Sequence, residues 1–236
     1  MENIPEEDDR WVRIGLYAAL GFELPAAGEH TRKQNTEQIQ RWKTEEYPII
    51  AQQAQEENAE IYWGDETGIS NCENYERGFS PKGQPPILPV ETKKERINMI
   101  SALNNRGDVR YMLYADSMDQ RRLIMFMRNL IYTSKKKVFL ILDNLKVHHG
   151  KKVAKWVSRH QDKIRLFFLP PYAPESNPDE YLNHALKLSV HSGDLPIDCS
   201  DIRHKTKSFM RTLQRNKDRI LAFFRHPLIS YTLIQV

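Results

Sequence analysis

The alternation of apolar and polar positions predicts strands in the first half of the chain. Residues 61–63 form a short β-prone run, IYW, that ends abruptly at the polar residues 64–66. Two further apolar runs, at residues 97–103 and 109–115, flank the turn NNRGD, and the second run alternates as a half-buried strand does. We therefore predict one strand followed by an antiparallel hairpin.

The pattern changes to a helical period after residue 115. Apolar residues from Leu123 to Ile131 share one helix face, and Ser117 with Gln120 predicts a capping box at the start of that helix. The continuous apolar run VFLIL is typical of a parallel strand buried on both faces. The elements that follow alternate strand, helix, strand and helix, at residues 138–142, around 153–157, at 164–169 and from 178.

Further elements are predicted on both sides of this region. Residues 36–58 read as a polar helix interrupted by Pro48, residues 77–89 as a strand with an irregular return, and residues 198–226 as more helices. The predicted fold is α/β, with a mixed five-stranded sheet of three antiparallel strands and then two parallel ones. Helices flank the sheet, and helical extensions precede and follow it.

Composition and charge narrow the class of protein. Among 236 residues, 40% are hydrophobic and 28% charged, which excludes collagen-like and low-complexity chains. No apolar run is long enough to span a membrane, and two distant cysteines suggest neither a disulfide framework nor a zinc site, so a cytoplasmic location is expected. Residues 1–60 contain 6 basic and 13 acidic side chains, a net charge of 6 − 13 = −7. The rest of the chain therefore has a net charge of +4 − (−7) = +11, and residues 201–225 contain eight Lys or Arg. The basic part could meet a polyanion or be a solvated helical face.

Two carboxylates follow predicted strands. Asp65 comes after IYW and Asp143 after VFLIL. If these strands are parallel neighbours, their backbones lie roughly 5 Å apart and the carboxylates share a site that suits Mg²⁺. For either residue alone, a turn after the strand is the better explanation. Glu66 should point away from Asp65, and the sequence does not decide which of the two faces Asp143.

A third acid opens the last helix of this region. Asn177, Pro178, Asp179 and Glu180 fit the N-cap, N1, N2 and N3 positions, and Glu180 completes a capping box. The same first turn follows the strand after Asp143, so it could overhang the same site. Capping and metal binding are alternatives for Glu180.

Three acidic blocks occur in order: IYWGDETGI, LILDNLKVHHG and LPPYAPESNPDEYL. Together they resemble the blocks of DDE transposases, and specifically those of the bacterial insertion-sequence branch of the mariner-like superfamily. The similarity continues through ERINMISALNNRGDVRYMLYADSM and SFMRTLQRNKDRILAFFRHP and covers roughly residues 36–230. A lone acidic dipeptide means nothing, but three ordered blocks with matching flanks are specific.

The resemblance implies a catalytic triad. It makes Asp65, Asp143 and Glu180 the first, second and third metal ligands, at separations of 143 − 65 = 78 and 180 − 143 = 37 positions, the latter slightly long for the family. It implies a ribonuclease-H-like fold with the first and fourth strands side by side. It also implies two Mg²⁺ or Mn²⁺ ions about 4 Å apart that activate the attacking oxygen and stabilise the leaving one.

The implied reaction is DNA transposition. Water attacks a phosphodiester at the element's end, and the released 3′-hydroxyl then attacks target DNA, usually at a TA dinucleotide in this branch. The implied partners are the element ends and the target DNA, bound by a homodimer, with no membrane partner. The expected location is the bacterial cytoplasm, with association to the nucleoid when DNA is bound.

Other polar residues of the second block suit supporting roles. Asn144 and His148 stand where the family's second block also has Asn and His, so they could orient a ligand or contact phosphate, although a structural hydrogen bond is equally plausible for His148. Lys146, Lys151 and Lys152 suit phosphate contacts that do not depend on sequence.

The resemblance divides the chain into four parts. These are a remnant of a helix-turn-helix DNA-binding region (1–35), a connecting helix (36–58), the catalytic domain (59–195) and a basic helical tail (196–236). Relatives have a longer DNA-reading head, so we expect a truncated chain.

Two positions of the third block depart from the family. The family usually carries an aliphatic residue where Ser176 stands and an aromatic one near Asn183. Loss of a core aromatic residue is expected to destabilise this helix and loosen Glu180. Two alternatives to an active transposase therefore stay open, a decayed relic that binds DNA weakly and a metal-dependent nuclease that does not join strands.

Overall fold

The computed structural model describes residues 35–72 and 93–233. The predicted helix-turn-helix remnant, except for its last residue, and the predicted return at residues 77–89 lie outside the described residues. Among those that are described, no helix is long and apolar enough to cross a membrane.

A single mixed sheet forms the centre of the domain. Its strands are β1 (Ala59–Ser70), β2 (Arg96–Asn104), β3 (Val109–Tyr114), β4 (Lys137–Leu142) and β5 (Ile164–Phe168). Their order across the sheet is β3-β2-β1-β4-β5. The pairs β1–β2 and β2–β3 are antiparallel, whereas β1–β4 and β4–β5 are parallel. The predicted mixed sheet, with its first and fourth strands adjacent, is confirmed.

Helices cover both faces of this sheet. They are α1 (Thr36–Arg41), α2 (Tyr47–Glu56), α3 (Gln120–Thr133), α4 (Lys151–Ser158), α5 (Pro178–Val190), α6 (Cys199–Arg215) and α7 (Lys217–Phe224). Short 3₁₀ turns occur at Pro174–Ser176 and Ser230–Leu233. The helices α3 and α4 pack on one face, and α2, α5, α6 and α7 pack on the other.

The alternation of side chains along the central strands fills two cores. Trp63 and Ile141 are buried with the residues of α5 to α7, whereas Tyr62, Leu140 and Leu142 are buried with those of α3 and α4. Each fully buried Leu, Ile or Phe side chain contributes about 1.5–3 kcal/mol to stability. The run VFLIL is apolar throughout because both of its faces are covered.

The strand β1 continues through the acidic residues at which it was predicted to end. It pairs with β4 only as far as Trp63, opposite Ile141, but with β2 as far as Ser70, opposite Arg96. The prediction that the strand ends at residues 64–66 was therefore wrong. The ladder with β2 satisfies the backbone of these polar residues, so the strand does not need apolar side chains to persist.

Two helix starts also differ from the predictions. Pro48 does not break the helix, because a π-helical turn at Trp42–Glu46 joins α1 to α2 one turn before it and accommodates the ring. Ser117 does not cap α3, which begins after Asp119, whose side chain accepts a hydrogen bond from the Arg122 N–H at 2.8 Å. The Gln120 side chain instead accepts from the Lys152 N–H at 3.0 Å and so caps α4.

Candidate active site

The junction of β1 and β4 brings two of the predicted carboxylates together. Trp63 and Ile141 are the last pair in register between the two strands, and Asp65 and Asp143 each stand two residues beyond that pair. Both residues line a cavity of about 350 Å³, and Glu180 lines the same cavity from the first turn of α5. Asp65 reaches it from the middle of β1, whereas Asp143 directly follows the end of β4.

Asp65 is a buried acid in an acidic environment. Asp65 is 9% exposed, and its Oδ2 accepts a hydrogen bond from the Asn183 Nδ2 at 2.8 Å. Burial raises the pKa of Asp65 well above its usual value, and the negative charges of Glu180, Asp179 and Glu66 raise it further. An isolated carboxylate at this position would resist ionisation, and a cation in the cavity would remove that penalty.

Glu180 faces the cavity rather than capping its own helix. The N-cap of α5 is Asn177, as predicted, and its side chain accepts from the Asp179 N–H at 3.0 Å. The Asn177 backbone N–H, which a capping glutamate would bind, donates to the Pro174 carbonyl at 2.9 Å. Burial raises the pKa of Glu180, Lys187 opposes this shift and Asp143 adds to it. The carboxylate is therefore available to the cavity.

Glu66 leaves β1 on the opposite face and meets His148. The His148 Nε2 donates to the Glu66 Oε1 at 2.8 Å, and the Nδ1 lies 3.0 Å from both the carbonyl oxygen and the Oδ1 of Asp143. Burial alone would lower the pKa of His148, but its bonds to Asp143 and Glu66 outweigh burial and raise the pKa to about 10. His148 thus links Glu66 to Asp143, and its raised pKa favours the protonated imidazolium form at neutral pH.

Glu66, Asp143 and His148 also form a possible metal site. Their ligand atoms all lie within 4.8 Å of one another. An imidazolium has no free lone pair with which to bind a cation, so this trio can hold a metal only if His148 loses its proton. Of the three cavity carboxylates, Asp65 and Glu180 have no such competitor, and we regard the cavity as the stronger candidate.

A second buried acid, Asp179, links the first turn of α5 to β2. Asp179 is fully buried, and its two carboxylate oxygens accept from the Ser101 Oγ at 2.9 and 3.1 Å. The Asn177 Nδ2 donates to the Gly64 carbonyl at 3.1 Å, immediately before Asp65. Burial raises the pKa of Asp179 well above its usual value, and the Ser101 bond partly opposes the shift. These bonds fasten the first turn of α5 to β1 and β2 on either side of Asp65.

The other predicted residues are distributed around this centre. Asn144 lines the cavity, and its side chain contacts His149. His148 contacts Asp143 through its Nδ1. Lys146, Lys151 and Lys152 are exposed on the segment that leads from Asp143 into α4 and are not among the described residues that line the cavity.

Sequence reasoning did not predict the contacts of four residues that support the site. Ser101, Asp179 and Asn177 were not recognised as a network, although polar residues at inward positions of a strand and a helix were a usable signal. The loss of an aromatic residue near Asn183 was expected to destabilise α5. Asn183 is buried, one helical turn after Glu180, and donates to Asp65.

The strand order and the central acidic cavity define a ribonuclease-H-like domain. Residues 60–203 match the family described as DDE superfamily endonuclease, and the chain belongs to that family. A comparison with curated proteins gave no significant match.

Solved structures of the Mos1 transposase share the fold. The Mos1 strand transfer complex aligns with a TM-score of 0.59 at 14% identity, covering 96% of this chain and 71% of that one. The Mos1 mariner paired end complex with Mn gives 0.59 at 16% identity, covering 98% and 79%. The catalytic domain of Mos1 mariner transposase gives 0.53 at 15% identity, covering 85% and 96%. At these identities the likeness concerns the fold.

Proposed function

We propose that this chain contains the catalytic domain of a DNA transposase of the bacterial insertion-sequence branch. It cleaves DNA at the element's ends and joins the released 3′-hydroxyl to target DNA. The observation that carries this proposal is that Asp65, Asp143 and Glu180, far apart in sequence, line one cavity in a domain of the DDE superfamily endonuclease family.

The donor set fits Mg²⁺ or Mn²⁺. Carboxylate oxygens are the hard ligands that these ions prefer. Asp65 and Glu180 both have raised pKa values because burial and neighbouring negative charges disfavour their ionised forms. A bound cation would offset that cost, and Asp65, Asp143 and Glu180 are the residues that would hold one or two ions. A Mos1 structure with Mn supports the use of a divalent cation.

The metal ions would supply charge stabilisation at the reacting phosphate and an activated oxygen nucleophile. The protein residues supply orientation. Asn183 holds Asp65, His148 holds Asp143, and the bonds of Asn177 and Asp179 fix the first turn of α5 that carries Glu180. Because these bonds are made inside the folded domain, the carboxylates are arranged before DNA arrives.

DNA is the proposed partner, and a homodimer is the proposed form in the DNA complex. The Mos1 structures, which include a strand transfer complex and a paired end complex, support both proposals. Exposed Lys146, Lys151 and Lys152 lie beside the segment after Asp143 and are proposed to contact phosphates. We further propose that residues 59–195 form the catalytic domain and residues 196–236 a basic tail.

One assay tests this function. Purified protein with Mn²⁺ is incubated with DNA that carries the element's ends, and both nicking and strand joining are measured for the wild type and for Asp143→Ala. We expect both activities in the wild type and at least a 100-fold loss in the variant. Cleavage by Asp143→Ala at the wild-type rate would refute the assignment, nicking without joining would indicate a nuclease, and salt-sensitive binding without cleavage would indicate a relic.

A further inference from the structure

A second polar groove lies at the end of the sheet opposite to the acidic cavity. It has a volume of about 610 Å³, and its walls come from the end of α3, the start of β4, α4 and the turn before β5. We call it the distal basic groove and define it by six of its lining residues: Arg128, Tyr132, Lys135, Trp156, His160 and Lys163.

The distal basic groove carries uncompensated positive charge. Arg128, Lys135 and Lys163 are exposed, and none of them forms an ion pair with any residue in the ranges 35–72 and 93–233. Two neighbouring cations have partners: the Lys136 Nζ donates to the Asn58 Oδ1 at 2.7 Å, and Lys137 pairs with Glu57. Asp162 is the acid that lines the groove. Three free cations against one carboxylate leave the groove basic.

Aromatic side chains stand among these cations. Tyr132 is 90% exposed at the end of α3, and Trp156 stacks on His160 with ring centroids 4.2 Å apart and planes at 21°. A tyrosine hydroxyl can donate to a phosphate oxygen, and flat rings tolerate contact with sugars and bases. Cations around the exposed Tyr132, with the half-buried Trp156 and His160 beside them, suit a nucleic-acid backbone better than an acidic protein surface, which would pair with charges alone.

The position of the groove separates it from the acidic cavity. Lys137 begins β4, and Asp143 directly follows the end of β4, so the two sites lie about 20 Å apart along a strand that rises about 3.3 Å per residue. They lie at opposite ends of β4. Duplex DNA is stiff over such distances, since its persistence length is about 50 nm. A duplex whose phosphate lies at the acidic cavity would have to bend sharply around the domain to reach the groove.

We propose that the distal basic groove binds the backbone of a second DNA duplex, distinct from the one at the acidic cavity. Arg128, Lys135 and Lys163 contact its phosphates, and Tyr132 donates to the same backbone. The contacts carry no sequence information, so any duplex is bound. This inference rests on the proposed function because it takes DNA as the ligand, but it does not depend on catalysis.

The test compares two variants that lose the same number of charges. In the groove variant, Arg128, Lys135 and Lys163 are each replaced by Gln. In the control variant, Lys207, Arg211 and Arg215, which are exposed along one face of α6, are replaced by Gln. All six side chains are at the surface, and circular dichroism with thermal melting verifies that both variants fold.

Two readouts are taken in EDTA, so that no DNA is cleaved. Fluorescence anisotropy with a 30-base-pair duplex of arbitrary sequence gives the affinity and its salt dependence, and capture of a labelled duplex on an immobilised one measures bridging. For the groove variant we expect bridging to fall at least 10-fold and the slope of log K against log salt to fall by about 0.9 for each lost phosphate contact. For the control variant we expect bridging within 3-fold of the wild type.

The outcomes separate this inference from the proposed function. Equal bridging by the groove variant and the wild type would overturn it, and so would an equal loss in the control variant, which would show that bulk charge alone matters. Loss of binding to RNA or to anionic vesicles without loss of DNA bridging would also overturn it. Bridging is measured in EDTA, where no nicking occurs, so failure of the catalytic assignment does not alter how the bridging result is interpreted.

Discussion

At the scale of single residues, two of the three candidate ligands, Asp65 and Asp143, are oriented by a neutral or cationic neighbour. Asn183 donates to Asp65, and His148 contacts Asp143 while donating to Glu66. A carboxylate that has one oxygen bonded in this way keeps a fixed direction and still offers a lone pair to the cavity. Partners of this kind typically change metal affinity or activity by about 10- to 100-fold when they are removed.

Replacement of Asn183 by Leu tests whether it positions Asp65. Leu keeps most of the buried volume and removes the only donor that Asn183 gives to Asp65. We expect Mn²⁺-dependent nicking to fall about 10-fold or more and the Mn²⁺ concentration for half-maximal rate to rise, because Asp65 is no longer oriented.

The control for this prediction is His184→Leu, since His184 is the exposed neighbour on the same helix. Urea unfolding of both variants separates misfolding from misorientation. An unchanged Mn²⁺ dependence in a folded Asn183→Leu protein would contradict the positioning role.

The charge of His148 predicts a pH-dependent stability. Its pKa is about 10 in the folded protein and roughly 6.5 when unfolded. The imidazolium's contribution is therefore complete below about pH 6.5 and is lost as pH rises towards 10, by up to about 1.4 kcal/mol per pH unit. We expect His148→Gln to lower the free energy of unfolding most at pH 6 and less at pH 9.5, as measured by urea denaturation.

His149→Gln is the matched control, because His149 is exposed beside His148. It should lower stability little and equally at both pH values. A deficit in His148→Gln that stayed constant or grew with pH would show that His148 is neutral in the folded state.

The sequence identified the carboxylates more readily than their supports. Asp65, Asp143 and Glu180 each stand at a recognisable pattern, a strand end or a helix start. Asn183, Asp179 and Ser101 could not be assigned in the same way, because a buried polar side chain is explained only by a partner from another element. Their partners lie 118 and 78 positions away in the chain, so only the folded arrangement reveals them.

At the scale of elements, β1 is the part that brings the site together. It pairs with β4 before the acidic residues and with β2 through them, so Asp65 stands where one ladder ends and the other continues. At Gly64, β1 packs closely against both neighbouring strands. A Cβ there would lie 3.0 Å from the Leu142 side chain of β4 and 3.0 Å from the Ser101 carbonyl of β2. A side chain at this position would therefore require β1 or its neighbours to shift.

Gly64→Ala should destabilise the protein through overpacking. The Ser101 carbonyl belongs to the backbone of β2 and cannot move aside, so we expect a loss of about 1–3 kcal/mol in the free energy of unfolding, measured with urea. Gly68→Ala is the control, since the Cβ there would meet only the flexible side chain of Arg96. An equal cost in the two variants would contradict the close approach at Gly64.

Element types were more predictable than element ends. The hairpin and the VFLIL strand are set by local alternation and by turn residues, and both are confirmed. The length of β1 and the cap of α3 were predicted wrongly, because the first depends on pairing with β2 and the second on which of two nearby polar residues, Ser117 or Asp119, the folded chain brings to the helix start.

At the scale of the whole molecule, the crowded carboxylates of the acidic cavity destabilise the folded state when they are ionised. Asp65 has a raised pKa because it is buried among Glu180, Asp179 and Glu66. A carboxyl with a raised pKa destabilises the fold as pH rises above its unfolded value of about 3.9, since the ionised form is penalised only in the folded state. A divalent cation in the cavity should reverse this effect.

Mn²⁺ should therefore stabilise the folded chain, and more strongly at pH 8 than at pH 5. At about 100 times its Kd, a ligand that binds only the folded state adds about 2.7 kcal/mol. We expect thermal melting to show a rise in Tm with Mn²⁺ that EDTA reverses. The rise should be absent in Asp143→Asn, and an equal rise in that variant would place the bound ion elsewhere.

The rate of Mn²⁺-dependent DNA nicking by Glu180→Gln tests the central claim most directly. Gln keeps the size of Glu180 and could still accept a capping hydrogen bond, but it removes the charge that faces the cavity. If Glu180 is a ligand beside Asp65 and Asp143, nicking should fall at least 100-fold while the urea midpoint stays near that of the wild type. Wild-type nicking by Glu180→Gln would show that the glutamate only supports the helix and would contradict the proposed triad.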